Sequence, residues 1–269
     1  MKKLKRILYP LCAVIVLFAL WNLWKIRQST EKETLLYQEL ASQAHAVETV
    51  EQQTEEQDQS NEMPDDVMAG SHPVKNQWLL ELKKQNEELA GWLTIPDTVI
   101  DYPVMQTAED NDFYLDHDFE RKEDPHGTLF LDVNCRIGES ENLIIYGHHM
   151  KDGTMFQNLM LYKDAEFCEN SGYVQFDTVE ESAQYQVIFV MLISAEEAED
   201  FPYYKCTDLS DDEIYQGFLK QCSRYAIWQA EKLPESGTKL LTLSTCEYSK
   251  DDGRLVVVAG QAGRVLPVS

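Results

Sequence analysis

Three residues able to share one reaction stand at the edges of apolar, β-forming runs. Cys246 closes Leu241-Thr242-Leu243-Ser244-Thr245, Arg254 opens Arg254-Leu255-Val256-Val257-Val258-Ala259, and His148 follows Ile144-Ile145-Tyr146-Gly147. A charged turn containing Asp251-Asp252-Gly253 separates the first two runs, so antiparallel pairing would set Arg254 beside Cys246. The thiolate is the nucleophile in acyl transfer, and a cysteine with a pKa of about 8.5 supplies little of it near neutrality. A guanidinium favours the thiolate and offers a donor fork to a developing oxyanion. An imidazole protonates the leaving amine and later deprotonates the incoming nucleophile. Acyl transfer with Cys246 as nucleophile, His148 as acid and base, and Arg254 at the oxyanion is the chemistry these residue types support.

Each residue also has a plainer reading. A free cysteine is most often a packing residue, and Arg254 could serve only as an ion-pair partner for Asp251 or Asp252. His149 adjoins His148, and neighbours in an extended segment point to opposite faces, so only one of them can face Cys246. The same divergence argues against joint metal binding. His117 and His126 read as loop or capping residues. His148 precedes Cys246 by 98 positions, the reverse of the order in papain-like peptidases. Six cysteines show no CxxC spacing, which argues against a zinc ribbon or a dithiol redox site, and the acidic residues show no calcium-loop spacing. Cys135, Cys168, Cys206 and Cys222 are expected to be small buried apolar residues rather than disulfide partners.

The net charge of −24 is uneven along the 269 residues. Residues 1–27 carry six Lys/Arg and no acid, residues 28–73 hold eleven acids against Lys32 alone, and residues 74–269 hold 36 acids against 16 bases. An acidic main domain lacks the basic footprint that nucleic acid requires, so no nucleic-acid partner is expected.

Three segments are expected to hold the reactive residues in place. Residues 1–27 read as a short basic tail followed by an apolar run, Ile7 to Trp24, of a length that would just span a bilayer as a helix. The basic head would stay cytoplasmic and send the rest outward, giving a single-pass cell-membrane protein with an extracellular catalytic domain. The run is read as an uncleaved anchor rather than a signal peptide, because no small-x-small site follows it. Residues 28–73 read as an acidic stalk and linker. Residues 74–269 form the catalytic domain. There the spacing predicts a helix from Gln77 to Ala90 stopped by Gly91, and strands at 92–95, 99–104, 127–132, 142–146, 172–178, 185–194, 239–245 and 254–260. A turn at Asn111 to Leu115, a helical segment at Met155 to Tyr162 and a long helix from Ser210 to Glu231 interrupt them. Many short strands without a βαβ rhythm predict a mainly β, closed barrel with helical additions.

With these residues in view, the sequence resembles the class B sortases, cysteine transpeptidases of Gram-positive cell surfaces. Thr242-Leu243-Ser244-Thr245-Cys246 contains the TLxTC signature, Tyr146-Gly147-His148 matches the histidine motif, and Arg254 matches the arginine of the next strand. Tyr146 to Phe156 carries the class B extension of the histidine motif, and the likeness covers about residues 74–261. The resemblance implies an eight-stranded sortase barrel with an N-terminal helix and a long helix before the cysteine strand. It implies cleavage of a C-terminal sorting signal of surface proteins at a Thr–Gly-type bond through a thioester on Cys246, then transfer to a peptidoglycan amine. It maps His148 and Arg254 as the other catalytic residues. It points to Ser244, Thr245, Glu247, Asn111 and Leu115 as contacts for the bound motif, and it implies no cofactor and no metal. The same residues leave open a pilin-polymerising sortase, a hydrolytic cysteine peptidase, or an anchored scaffold in which Cys246 only packs. They also leave open whether thiol and imidazole rest as an ion pair or as a neutral pair.

Overall fold

A computed structural model describes residue 21 and residues 35–42, 76–108, 110–250 and 252–264. The chain divides into two compact units, Met1–Gln43 and Ala44–Ser269. In the first, residues 35–42 form a helix, with Tyr37 and Leu40 buried. Apart from this helix, the expected stalk at 28–73 lies outside the described residues. So does the expected span Ile7 to Trp24, apart from Trp21.

The second unit is built on strands β1 (Leu89–Thr94), β2 (Asp101–Met105), β3 (Leu129–Leu131), β4 (Asn142–Tyr146), β5 (Tyr173–Asp177), β6 (Ser182–Ile193), β7 (Ala226–Gln229), β8 (Leu240–Glu247) and β9 (Gly253–Arg264). Their order is β5-β1-β2-β3-β4-β8-β9-β6-β7, and a further β5–β6 pairing closes the first eight into a barrel, with β7 added outside on β6. The barrel is mixed: β2–β3 and β4–β8 are parallel and the other pairings antiparallel. Closure removes the unpaired edges that an open sheet would expose. The eight expected strands are therefore the eight staves of the barrel.

The β4, β8 and β9 runs are apolar almost throughout because both of their faces are covered. Leu143 to Ile145, Leu240, Leu241, Leu243 and Leu255 to Ala259 are all buried. Helix α1 (Gln77–Lys83) precedes β1, and helices α2 (Ala165–Asn170), α3 (Ala195–Asp200) and α4 (Asp212–Tyr225) join the barrel between strands. On α4, Tyr215, Phe218, Leu219 and Cys222 form the face that meets Phe189, Met191, Val256 and Val258 in one core. Asp211 caps its first turn by accepting from the amides of Glu213 and Ile214.

Three expectations change. The N-terminal helix ends at Lys83, and Gly91 lies within β1 rather than stopping a helix. A Cβ at Gly91 would lie 2.4 Å from the Asp177 carbonyl oxygen, so the residue is there for close strand approach. The long helix ends at Tyr225, because Ala226-Ile227-Trp228-Gln229 pairs as a strand with Phe189 to Met191. Third, among the described residues no helix is long and apolar enough to cross a membrane. The longest described helix, α4, has 14 residues and carries charges at Asp212, Glu213, Lys220 and Arg224, whereas a span needs about 20 predominantly apolar residues. That finding runs against the expected single-pass membrane location and leaves the membrane as a partner without support.

Candidate active site

Strand pairing brings the three reactive residues together. β8 lies between β4 and β9. On its antiparallel side, Cys246 is the direct Cα partner of Arg254, so both side chains leave the same face of the sheet. On its parallel side the register runs from Asn142↔Leu240 to Tyr146↔Ser244, and the Gly147 amide extends it by donating to the Ser244 carbonyl at 3.3 Å. His148 and Cys246 each come two residues after that last pair. Parallel strands end on the same side, so both residues emerge at one rim of the barrel.

The three line one cleft of about 500 Å³, together with Leu115, Tyr204 and Asp252 among others. A larger cavity of about 780 Å³, lined by Lys83, Phe176, Tyr185 and Lys239, holds none of them, so the chemistry rather than the volume identifies the site.

Gly147 is a steric requirement at the turn into His148. A Cβ there would meet Leu129 Cδ2 at 2.4 Å and Phe156 Cδ2 at 2.8 Å. His148 Nε2 lies 2.8 Å from the Leu115 carbonyl oxygen. A carbonyl only accepts, so Nε2 carries the hydrogen and Nδ1 is the nitrogen left to exchange a proton with the thiol. His149 does not line the cleft; its Nδ1 donates to the Cys246 carbonyl at 2.9 Å, and its ring lies against Tyr248.

Arg254 is held from one side. Its Nη1 donates to Asp252 Oδ1 at 2.8 Å and to the Asp252 and Gly253 carbonyls at 3.1 Å. Its Nε and Nη2 have no bonded partner among the described residues. Burial works against its charge, but the Asp252 carboxylate and the neighbouring Cys246 hold its pKa above the usual value. The ion pair with Asp252 and a role at Cys246 are thus compatible.

The residues expected to contact the bound motif divide. Ser244, Thr245 and Leu115 line the cleft. The Ser244 hydroxyl is 2.9 Å from the Tyr203 hydroxyl, and both residues are buried. Thr245 Oγ1 donates to the Gly147 carbonyl at 2.7 Å. Asn111 and Glu247 are not in the lining. Asn111 Oδ1 accepts from the Val133 amide at 2.8 Å, which fixes the loop after β3. Burial would raise the Glu247 pKa, but the Lys163 ammonium at 2.8 Å and the Ser249 donors bring it down to about 2. Both side chains are therefore occupied in holding the rim.

Tyr203 and Tyr204 in the cleft wall, and the acidic helix α3 beside them, were not foreseen as site elements. The dense aromatic run Phe201-Pro202-Tyr203-Tyr204 was the available signal. The five described cysteines are all free, and burial pushes the thiols of Cys135 to about 12 and Cys168 to about 11. Those two are packing residues. Among the described residues, no group of three or more His, Cys, Asp or Glu could hold a metal ion.

Residues 93–262 match the sortase domain. The chain is 33% identical to sortase B of Listeria monocytogenes over 182 residues, which is 66% of this chain and 72% of that protein. It is 35% identical to sortase B of Staphylococcus aureus over 181 residues, with the same two shares. Its fold is similar to that of a Staphylococcus aureus sortase B–substrate complex, with a TM-score of 0.73 and 28% identity over 89% of this chain and 100% of that one.

Proposed function

The chain belongs to the sortase family, in its class B, and on that premise we propose that Cys246, His148 and Arg254 are its catalytic residues. It is a cysteine transpeptidase that anchors surface proteins to the cell wall, taking a sorting signal as acyl donor and a peptidoglycan amine as acceptor. The observation that carries the residue assignment is the row of three across adjacent strands. Cys246 faces Arg254 by direct pairing, and His148 follows from the continued β4–β8 register.

In the first step the Cys246 sulfur attacks the carbonyl carbon at the scissile Thr–Gly-type bond. The carbonyl electrons move onto oxygen, and Arg254 Nε and Nη2 donate to that oxyanion. As the tetrahedral intermediate collapses the C–N bond breaks, and protonated His148 gives its proton to the departing amine. A thioester on Cys246 remains. In the second step the acceptor amine attacks the thioester carbon and passes a proton to His148. The C–S bond then breaks, the thiolate is restored and a new amide is released. Ser244, Thr245 and Leu115, which line the cleft, are the residues we assign to contact the acyl-donor segment.

A test incubates the full chain with peptides spanning a Thr–Gly-type bond and with triglycine as the amine. A transpeptidase gives the triglycine amide, and Cys246→Ala gives neither cleavage nor transfer. Free acid as the dominant product with triglycine in excess would move the reading to a hydrolytic peptidase. Unchanged transfer by Cys246→Ala would remove the nucleophile.

A further inference from the structure

His126 reads in the sequence as an ordinary loop residue, yet it is only 5% exposed, and both its ring nitrogens face carboxylates. Nδ1 is 2.8 Å from Asp124 Oδ1, and Nε2 is 2.8 Å from Asp152 Oδ2. A neutral imidazole has one N–H and one lone pair, so donating to two carboxylates at once requires the imidazolium. The result is a buried cation clamped by two charge-assisted hydrogen bonds. Burial would raise the pKa of each carboxyl, but bonds from His126 at Asp124, and from Thr154 and then His126 at Asp152, hold both below the usual range.

The two carboxylates belong to the two segments that meet at His148. Asp152 lies four residues beyond His148, in the loop leaving β4. That loop is closed at its base by the Phe156 amide donating to the His148 carbonyl at 2.8 Å and by a His149–Met155 bridge. Met155 sits at φ 52, a left-handed conformation that a methionine holds only when its surroundings impose it. On the other side, Asp124 and His126 lead into Gly127 at φ 61, where a Cβ would lie 2.4 Å from the Leu115 carbonyl oxygen. That same oxygen is the partner of His148 Nε2. The Asp124–His126–Asp152 bridge therefore fastens the His148 loop to the segment packed under the carbonyl that orients the His148 ring.

We infer that His126 is a positioning residue for His148: its imidazolium, bridging Asp124 and Asp152, sets where the catalytic imidazole stands relative to Cys246. The inference rests on the His148–Cys246 pairing proposed above. His126 itself is not in the cleft lining. Without the bridge the loop stays closed at its base but loses this tie to the Leu115 side, so Nδ1 of His148 is held less closely to its working position.

The test reads the thiol directly and needs no knowledge of the sorting motif. The full chain is alkylated with iodoacetamide across a pH series, and modification of the Cys246 peptide is followed by mass spectrometry alongside the melting temperature. His148→Ala reports what loss of the pairing does to the profile. His126→Ala and Asp152→Ala are expected to move the profile toward that of His148→Ala and to lower the rate near neutrality by about tenfold or more, since small misplacements of reacting groups cost this much. Asp152→Asn is expected to restore most of the parental behaviour. Its amide donates to Nε2 of a neutral His126 whose Nδ1–H stays on Asp124, so the tie survives without the charge. A parental profile in a folded Asp152→Ala variant would overturn the positioning role, as would Asp152→Asn behaving no better than Asp152→Ala. A parental profile in His148→Ala would instead sink the His148–Cys246 pairing, and this inference with it.

Discussion

Thr245 donates its hydroxyl to the carbonyl of Gly147, tying the residue before the cysteine to the residue before the histidine. Both groups are buried, and the bond lies where the β4–β8 ladder ends. Beyond it the chain carrying His148 is no longer held to β8 by regular pairing. Thr245→Val keeps the side-chain shape but leaves the Gly147 carbonyl with a buried, unmet acceptor, which costs about 1–3 kcal/mol. We expect Thr245→Val to lower the melting temperature and to slow peptide cleavage more than tenfold, an outcome consistent with a misaligned pair. Thr245→Ser should stay near the parent in both. Equal rates for Thr245→Val and the parent would mean the tie does not serve the site.

Arg254→Lys keeps the charge and loses the planar fork. Arg254 Nη1 is engaged with Asp252 and Gly253, while Nε and Nη2 have no bonded partner among the described residues, so the two tasks fall to one guanidinium. A lysine has a single nitrogen for both. The predicted loss in peptide cleavage rate is about a hundredfold or more, the scale of removing an oxyanion donor, with little change in melting temperature. A loss under about threefold would take Arg254 out of the oxyanion role.

His148 and His149 differ by position rather than by type. His148 lines the cleft, whereas His149 holds the Cys246 carbonyl from outside it. His148→Ala should abolish turnover, and His149→Ala should leave a measurable rate with lowered stability. The reverse order would assign the base to His149.

Glu247 makes stability depend on acid. Its folded pKa of about 2 lies below the ordinary glutamate value of 4.5, so it binds its proton less readily in the folded state than in the unfolded one. The stabilisation is complete above pH 4.5 and is lost as pH falls from there toward 2. The shift corresponds to at most about 3 kcal/mol. Thermal melts from pH 7 to pH 2 should show this loss in the parent. Glu247→Gln should be less stable at neutral pH and should show a flatter fall through the acid range. Parallel curves for the two proteins would separate Glu247 from acid sensitivity.

The sequence was most legible where local pattern and tertiary structure agree. Cys246 and Arg254 could be placed side by side because two apolar runs flank one short turn, and hairpin register is set locally. His148 was reached by residue type, although its neighbourhood depends on β4 pairing parallel to a strand some hundred residues later. No local pattern encodes that contact. The helix at Gln77 is shorter than its pattern suggests because Leu89 continues the helical spacing of Trp78, Leu79 and Leu82, while pairing of 89–94 with 101–105 and 175–177 overrides it. Asn111 and Glu247 were expected at the cleft, but Val133 and Lys163 claim their side chains, and such partners appear only in three dimensions. His126 was passed over for the same reason: its second carboxylate, Asp152, is 26 residues away.

Every other role at the site depends on an acyl-enzyme formed at Cys246. Intact mass spectrometry of the full chain, mixed with peptides spanning a Thr–Gly-type bond and without added amine, tests it most directly. We expect an adduct of the acyl fragment's mass that maps to the Cys246 peptide, is absent in Cys246→Ala, and is discharged to an amide product on adding triglycine. Product formation with the adduct on another residue, or undiminished turnover by Cys246→Ala, would contradict it.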